Sequence, residues 1–161
     1  TTSPLVGVHH CPPRGEIRLA SNDPTAHPVI TPNYLATEVD RRTAIDSLKL
    51  TRRMVESPAL APYVAEEVRP GADAQTDEEL LEGARRIAQT IYHPVGTCKM
   101  GSDPAAVVDD RLRVRGIKGL RIVDASIMPT ITSGNTNAPA IMIAEKASEM
   151  ILEDAKARAA A

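Results

Sequence analysis

The stretch from Thr76 to Pro94 constrains this chain more than any other. Thr76, with Glu79 three residues on, is a capping box: hydroxyl and carboxylate each satisfy a backbone N–H that the first helical turn leaves without a partner. Leu80, Leu81, Ala84, Ile87, Ala88 and Ile91 then recur at helical spacing, so one face is apolar and needs cover. Proline pushes the residue before it out of the α region, which ends the helix at His93-Pro94. The spacing therefore predicts an amphipathic helix that runs straight into His93. It leaves that histidine at the helix mouth, on the loop His93-Pro94-Val95-Gly96-Thr97-Cys98-Lys99-Met100-Gly101.

Around this helix the pattern predicts mixed α and β structure. Glu16-Ile17-Arg18-Leu19-Ala20 alternates polar and apolar residues, as a half-buried strand does. Ser21-Asn22-Asp23-Pro24 reads as a turn. Val29-Ile30 lies between prolines and suits only an edge strand. A helix is expected over 37–56, stopped by Pro58, and a shorter one from Ala59 to Glu67. Arg69-Pro70-Gly71-Ala72-Asp73 reads as a surface linker. Short strands are expected over 107–124. A final helix, from Ala140 to about Glu153 with Pro139 in its first turn, is apolar on several sides and is expected to be largely buried. The Ala-rich tail from Ala155 to Ala161 is expected to fray. The fold class expected is α+β or α/β, a sheet flanked by helices plus a returning strand and helix.

Composition narrows the function classes. The 161 residues suffice for one domain with a core, and 42% hydrophobic with 25% charged residues favours folding over disorder. The net charge of −2 is not the footprint of a nucleic-acid binder. With only Tyr34, Tyr63 and Tyr92 as aromatics, a base-stacking platform is excluded too. No apolar run approaches the roughly 20 residues of a membrane span. Two cysteines, Cys11 and Cys98, make no disulfide framework, so a reduced, cytoplasmic setting is the expectation. Adjacent His9 and His10 in a strand point to opposite faces, and no second ligand pair has zinc-like spacing, so no metal is expected. Without a third, orienting group, Cys98 reads as a small buried packing residue rather than a nucleophile. His27 and the arginine pairs 41–42, 52–53 and 85–86 read as solvated surface. No G-x-S-x-G elbow supports a hydrolase.

Two features carry chemistry. His93 follows the amphipathic helix, and an imidazole with its ordinary pKa of about 6.5 takes up a proton near neutral pH. From position alone, a histidine at a helix end is more often a capping or surface residue than a catalyst. The loop Ile131-Thr132-Ser133-Gly134-Asn135-Thr136-Asn137 feeds the start of the last helix. A helix N-terminus presents unpaired N–H groups and a positive partial charge, and stabilises an anion by up to about 2 kcal/mol. From spacing alone, plain helix capping by Asn135 and Asn137 is the more ordinary reading.

The string 93–101 resembles the active-site histidine segment of the glucose–methanol–choline (GMC) oxidoreductases, FAD-dependent alcohol dehydrogenases and oxidases that include choline-dehydrogenase-like members. So do Gly119-Leu120-Arg121-Ile122-Val123-Asp124-Ala125-Ser126-Ile127-Met128-Pro129 and Ser133-Gly134-Asn135-Thr136-Asn137-Ala138-Pro139-Ala140-Ile141-Met142-Ile143-Ala144-Glu145-Lys146-Ala147. Arg14-Gly15-Glu16-Ile17-Arg18-Leu19, and Asp23-Pro24 through Pro32-Asn33-Tyr34-Leu35, are similar to the family's substrate-domain strand region. The resemblance covers nearly the whole chain in the family's order. It implies the C-terminal part of a two-domain FAD enzyme, with 1–104 in the substrate domain and 105–161 returning to the FAD domain.

It further implies that His93 abstracts the proton of an alcohol and that Asn135 is the second catalytic residue. Hydride passes to flavin N5. Asp124 and Ala125 approach the ribityl and phosphate chain, while Asn135, Thr136 and Asn137 lie along the flavin ring. Tyr92 fits either a substrate-lining or a buried helix-end role. A choline-type substrate asks for an aromatic or acidic cage, of which these residues offer little. The family's G-x-G-x-x-G fingerprint for the ADP moiety is absent from the sequence. A catalytically inert portion that needs an N-terminal FAD-binding half is the alternative reading. Titration of the isolated polypeptide with FAD is expected to show no stoichiometric binding at micromolar or tighter affinity.

Overall fold

Residues 15–160 are described by a computed structural model and divide into two units, 33–91 and 15–32 with 92–160. In the first, α1 (Glu38–Val55) starts at Thr37. The Thr37 hydroxyl accepts from Asp40 N–H at 3.3 Å, and the Asp40 carboxylate accepts from Thr37 N–H at 3.1 Å. The capping box anticipated at Thr76 starts α2 (Asp77–Ile87), with reciprocal bonds of 3.2 and 2.9 Å to Glu79. Ile45 of α1 and Leu80 and Ala84 of α2 are buried. Asp77 binds Lys49 and, at 3.0 Å, Arg42, which ties the start of α2 to α1 outside this apolar contact.

Three expectations change in this unit. α2 does not run into His93: it ends at Ile87, Ala88 is extended (ψ 141°) and Tyr92 has φ 62°. Residues 88–90 are exposed, so a further turn would fix backbone without burying apolar surface. The expected helix 59–67 is only a 3₁₀ turn, Ala61–Tyr63, because Pro62 removes a donor from a segment too short to nucleate otherwise. Arg52 is not on a solvated face. Its side chain is 18% exposed and binds Glu67 through two 2.9 Å bonds and the carbonyls of Ala74 (2.7 Å) and Gly71 (3.1 Å). A planar guanidinium with five fixed donors suits this role, and it ties down the segment read as a surface linker.

In the second unit, β1 (Glu16–Arg18) and β2 (Val29–Thr31) pair antiparallel, with Ile17 opposite Ile30. The Asp23 turn between them forms as expected, its carboxylate accepting from Thr25 N–H at 2.9 Å. Both strands are exposed, where the first was expected to be half-buried, and among the described residues the sheet has no third strand. The strands expected over 107–124 reduce to single bridges, Val108 to Val114 and Arg113 to Arg121, with Val108 also bridged to Met100. Turns at Leu112 (φ 61°), Gly116 and Gly119 (both φ 80°) interrupt each run. An αL conformation is uncommon for a bulky residue, and Leu112 is held in it by being 4% exposed.

The core of this unit is Val108, Leu112, Ile127, Met128, Ile143 and Ala147. The last two come from α3 (Asn137–Ala159). The helix starts near the expected place, with Pro139 in its first turn, but it is not largely buried. Only Ile143 and Ala147, four residues apart, are buried, and Ile141, Met142, Ile151 and Leu152 are exposed. A single i, i+4 stripe is all that this core covers.

Nor does the tail fray at Ala155, since α3 continues to Ala159. Its last turns are anchored at Asp154, which receives Arg113 (2.7 Å), Arg111 (3.0 Å) and Arg121. Arg111 also binds Glu153 (3.0 Å) and the Met150 carbonyl (3.1 Å). Lys156 and Arg158 complement the negative end of the helix dipole. Among the described residues no helix is long and apolar enough to cross a membrane.

Two outcomes follow for stability. Gly83 lies buried in α2, where an added Cβ would sit 2.5 Å from Pro70 Cβ. Gly83→Ala gains about 1 kcal/mol of helix propensity, but the clash costs about 1–3 kcal/mol, so the denaturation midpoint is expected to fall. The Arg113 and Arg121 hydrogen bonds, against some desolvation, lower the Asp154 pKa from 3.8 to about 2. A carboxyl whose folded pKa is depressed contributes its full stability above the unfolded value and loses it as pH falls through the folded one. Acid titration of unfolding is expected to show loss between pH 3.8 and about 2. Asp154→Asn is expected to lower stability at neutral pH and to flatten part of that acid limb.

Candidate active site

His93 lies in the second unit, which resumes at Tyr92, on irregular backbone. The chain beyond it is sewn to the 3₁₀ turn Ala125–Ile127: Cys98 N–H donates to the Ser126 carbonyl at 3.0 Å and Met100 N–H to the Ile127 carbonyl at 2.8 Å. Gly96 permits the bend between them with φ 85°. Val107 N–H donates to the Lys99 carbonyl at 2.9 Å, closing the 99–107 turn. Inside that turn Lys99 binds Asp103 at 2.9 Å, and this bond with the Ala105 N–H holds the Asp103 carboxyl below its ordinary range.

The 3₁₀ turn is fixed in the same way. Asp124 is its N-cap, accepting from Ser126 N–H at 2.7 Å, and Ala125 packs against the core. Ile127 and Met128 are buried beside Ile143 and Ala147, so this turn packs on α3. From there the loop 129–136 leads to the start of α3.

That loop returns to the histidine. Thr136 Oγ1 lies 2.9 Å from His93 Nδ1, joining residues 43 apart in sequence. Thr136 is buried and is the N-cap residue of α3, yet its hydroxyl makes no bond within the helix. Among the described residues no side chain is seen to cap the first N–H groups of α3. Asn135 and Asn137, on either side of Thr136, are exposed, with Asn137 as the first residue of the helix.

Of the site residues read from the sequence, the structure therefore brings His93 and Thr136 into contact. Asn135 and Asn137 are held next to that contact by chain connectivity. Asp124 and Ala125 sit on the turn to which the His93 loop is bonded. Tyr92 is 80% exposed, which removes the buried helix-end reading. Cys98 is a free, partly buried thiol rather than a fully buried one, and His27 is on the surface. Among the described residues no group of side chains could hold a metal; His9, His10 and Cys11 lie outside them. The contact of His93 with Thr136 escaped the sequence reading. The one signal for it was a threonine, a strong N-cap type, just before Asn137.

The donors at this site suit a flavin's polar edge. They comprise the uncapped N–H groups of α3 with its positive end, and the exposed amides of Asn135 and Asn137. Comparison with known proteins gives the family. The family model described as GMC oxidoreductase, for the C-terminal portion, matches residues 12–144. An oxygen-dependent choline dehydrogenase of Cronobacter sakazakii is 51% identical over 146 residues, 91% of this chain and 26% of the relative. One from Acinetobacter baumannii is 52% identical over the same shares. Among solved structures, pyridoxine 4-oxidase from Mesorbium loti has a TM-score of 0.82 at 35% identity, covering 88% of this chain and 28% of that one. The chain thus spans about a quarter of the length of the curated relatives it matches. It belongs to the GMC oxidoreductase family, whose C-terminal portion it represents.

Proposed function

We propose that this chain forms the C-terminal part of an FAD-dependent enzyme that oxidises a primary alcohol to an aldehyde, with His93 as the general base. The 2.9 Å contact between His93 and Thr136 carries this reading, because it sets an imidazole at the start of α3 beside Asn135 and Asn137. The choline dehydrogenases and pyridoxine 4-oxidase among its relatives support an alcohol as substrate class.

In this reading His93 accepts the hydroxyl proton, a contribution of about 10²–10⁴-fold. The Asn135 amide donates a hydrogen bond to the oxygen as it gains charge, a donor preorganised in the manner of an oxyanion hole. Tyr92 lines the substrate side. Asn135, Thr136 and Asn137 hold FAD with the N–H groups of α3, and Asp124 and Ala125 hold its ribityl and phosphate chain. When bound, FAD supplies the hydride acceptor. Residues 1–104 serve the substrate domain and 105–161 the FAD domain.

A second reading is favoured by the quarter-length match to the relatives: these residues alone are inert, and turnover needs the remaining length. Both readings give His93 the same role in the intact enzyme. In the FAD-loaded enzyme that carries this segment, His93→Ala is expected to cut kcat by about 10²–10⁴-fold while the flavin absorbance per subunit stays unchanged. Undiminished turnover would remove His93 from the mechanism.

A further inference from the structure

We propose that Thr136 is a positioning residue: its hydroxyl oxygen accepts a hydrogen bond from His93 Nδ1–H and so holds the ring in the tautomer whose Nε2 takes the substrate proton. This rests on the reading of His93 as base.

The local geometry is unusual for an N-cap threonine. Such a residue normally has an extended backbone, from which its hydroxyl accepts an N–H two or three residues on. Thr37 and Thr76 of this chain do so, with ψ of 162° and 161°. Thr136 instead has φ −80° and ψ −2°, caps nothing in α3, and lies 2.9 Å from His93 Nδ1. The hydroxyl has been turned from the helix to the histidine. It is also the buried member of the Asn135-Thr136-Asn137 triplet, so its polar atom needs a protein partner more than its neighbours do.

The consequence lies in the tautomer. A neutral imidazole has one donor nitrogen and one acceptor nitrogen, and the bond made at one sets the state of the other. With Nδ1–H donating to Thr136, the lone pair is on Nε2, where an alcohol proton is received. If the hydroxyl donated to Nδ1 instead, the ring proton would sit on Nε2, and a neutral His93 would have no base there. Once Nε2 is protonated, Nδ1–H remains a donor to the same oxygen. The contact therefore serves the ring before and after proton transfer without rearranging.

The two ring nitrogens are distinguished by ¹⁵N NMR of the FAD-loaded enzyme that carries this segment, labelled at histidine. The neutral wild-type His93 ring is expected to carry its proton on Nδ1; a proton on Nε2 overturns the proposal without any variant. Thr136→Val keeps the shape and removes the hydroxyl. It is expected to mix the two tautomers and lower kcat per bound flavin by about 10- to 100-fold, with KM little changed. Thr136→Ser restores the oxygen and is expected to recover most of kcat and the Nδ1–H signal. Wild-type ¹⁵N shifts and kcat in Thr136→Val overturn the proposal, and leave the function reading standing if His93→Ala is inactive. An active His93→Ala overturns that reading, and this proposal with it.

Discussion

Burial around Val108 decides what the second unit can do. Val108 has no exposed surface and is bridged on two sides, to Met100 and to Val114. It therefore joins the end of the His93 loop to the 107–122 ribbon. Ile127, Met128, Ile143 and Ala147 close on the same cluster, so the 3₁₀ turn and α3 are drawn to that point as well. Each fully buried large aliphatic side chain of this kind contributes about 1.5–3 kcal/mol. The site is thus built from loops held by a small core, and not from strand ends.

Directional bonds then set the finer geometry. Backbone bonds from Cys98 and Met100 to the Ala125–Ile127 turn fix the loop that begins at His93. At the far end of α3, three guanidinium groups converge on Asp154. Arg111 and Arg113 come from the ribbon around Val108 and Arg121 from its return, so the helix is pinned near its end as well as at Ile143 and Ala147. A helix held at two places keeps its first turn, with Asn137 and the uncapped N–H groups, in a defined position relative to His93.

The exposed apolar residues have the same origin. Ile141, Met142, Ile151 and Leu152 lie off the one stripe that the core covers. From sequence they suggested a helix buried on several sides. Within the described residues there is one contact face, so the apolar pattern exceeds what this core covers.

Much of the local structure was legible in the sequence. Thr76 with Glu79, the Asp23 turn, and Pro139 in the first turn of α3 depend on neighbours within a few residues, and such short-range bonds leave a signature in the chain. Membership of the GMC family was legible through the resemblance of four segments, and the comparisons bear it out; the roles given to His93, Asn135, Thr136 and Asn137 came with that resemblance. The end of α2 at Ile87 was not legible, because a helix stops where further turns bury nothing, and burial is a property of the whole packing. Nor was the pairing of His93 with Thr136, or of Asp154 with Arg111, Arg113 and Arg121. Those partners are tens of residues apart, and only a closed core brings them within the 3 Å or so at which a hydrogen bond can act.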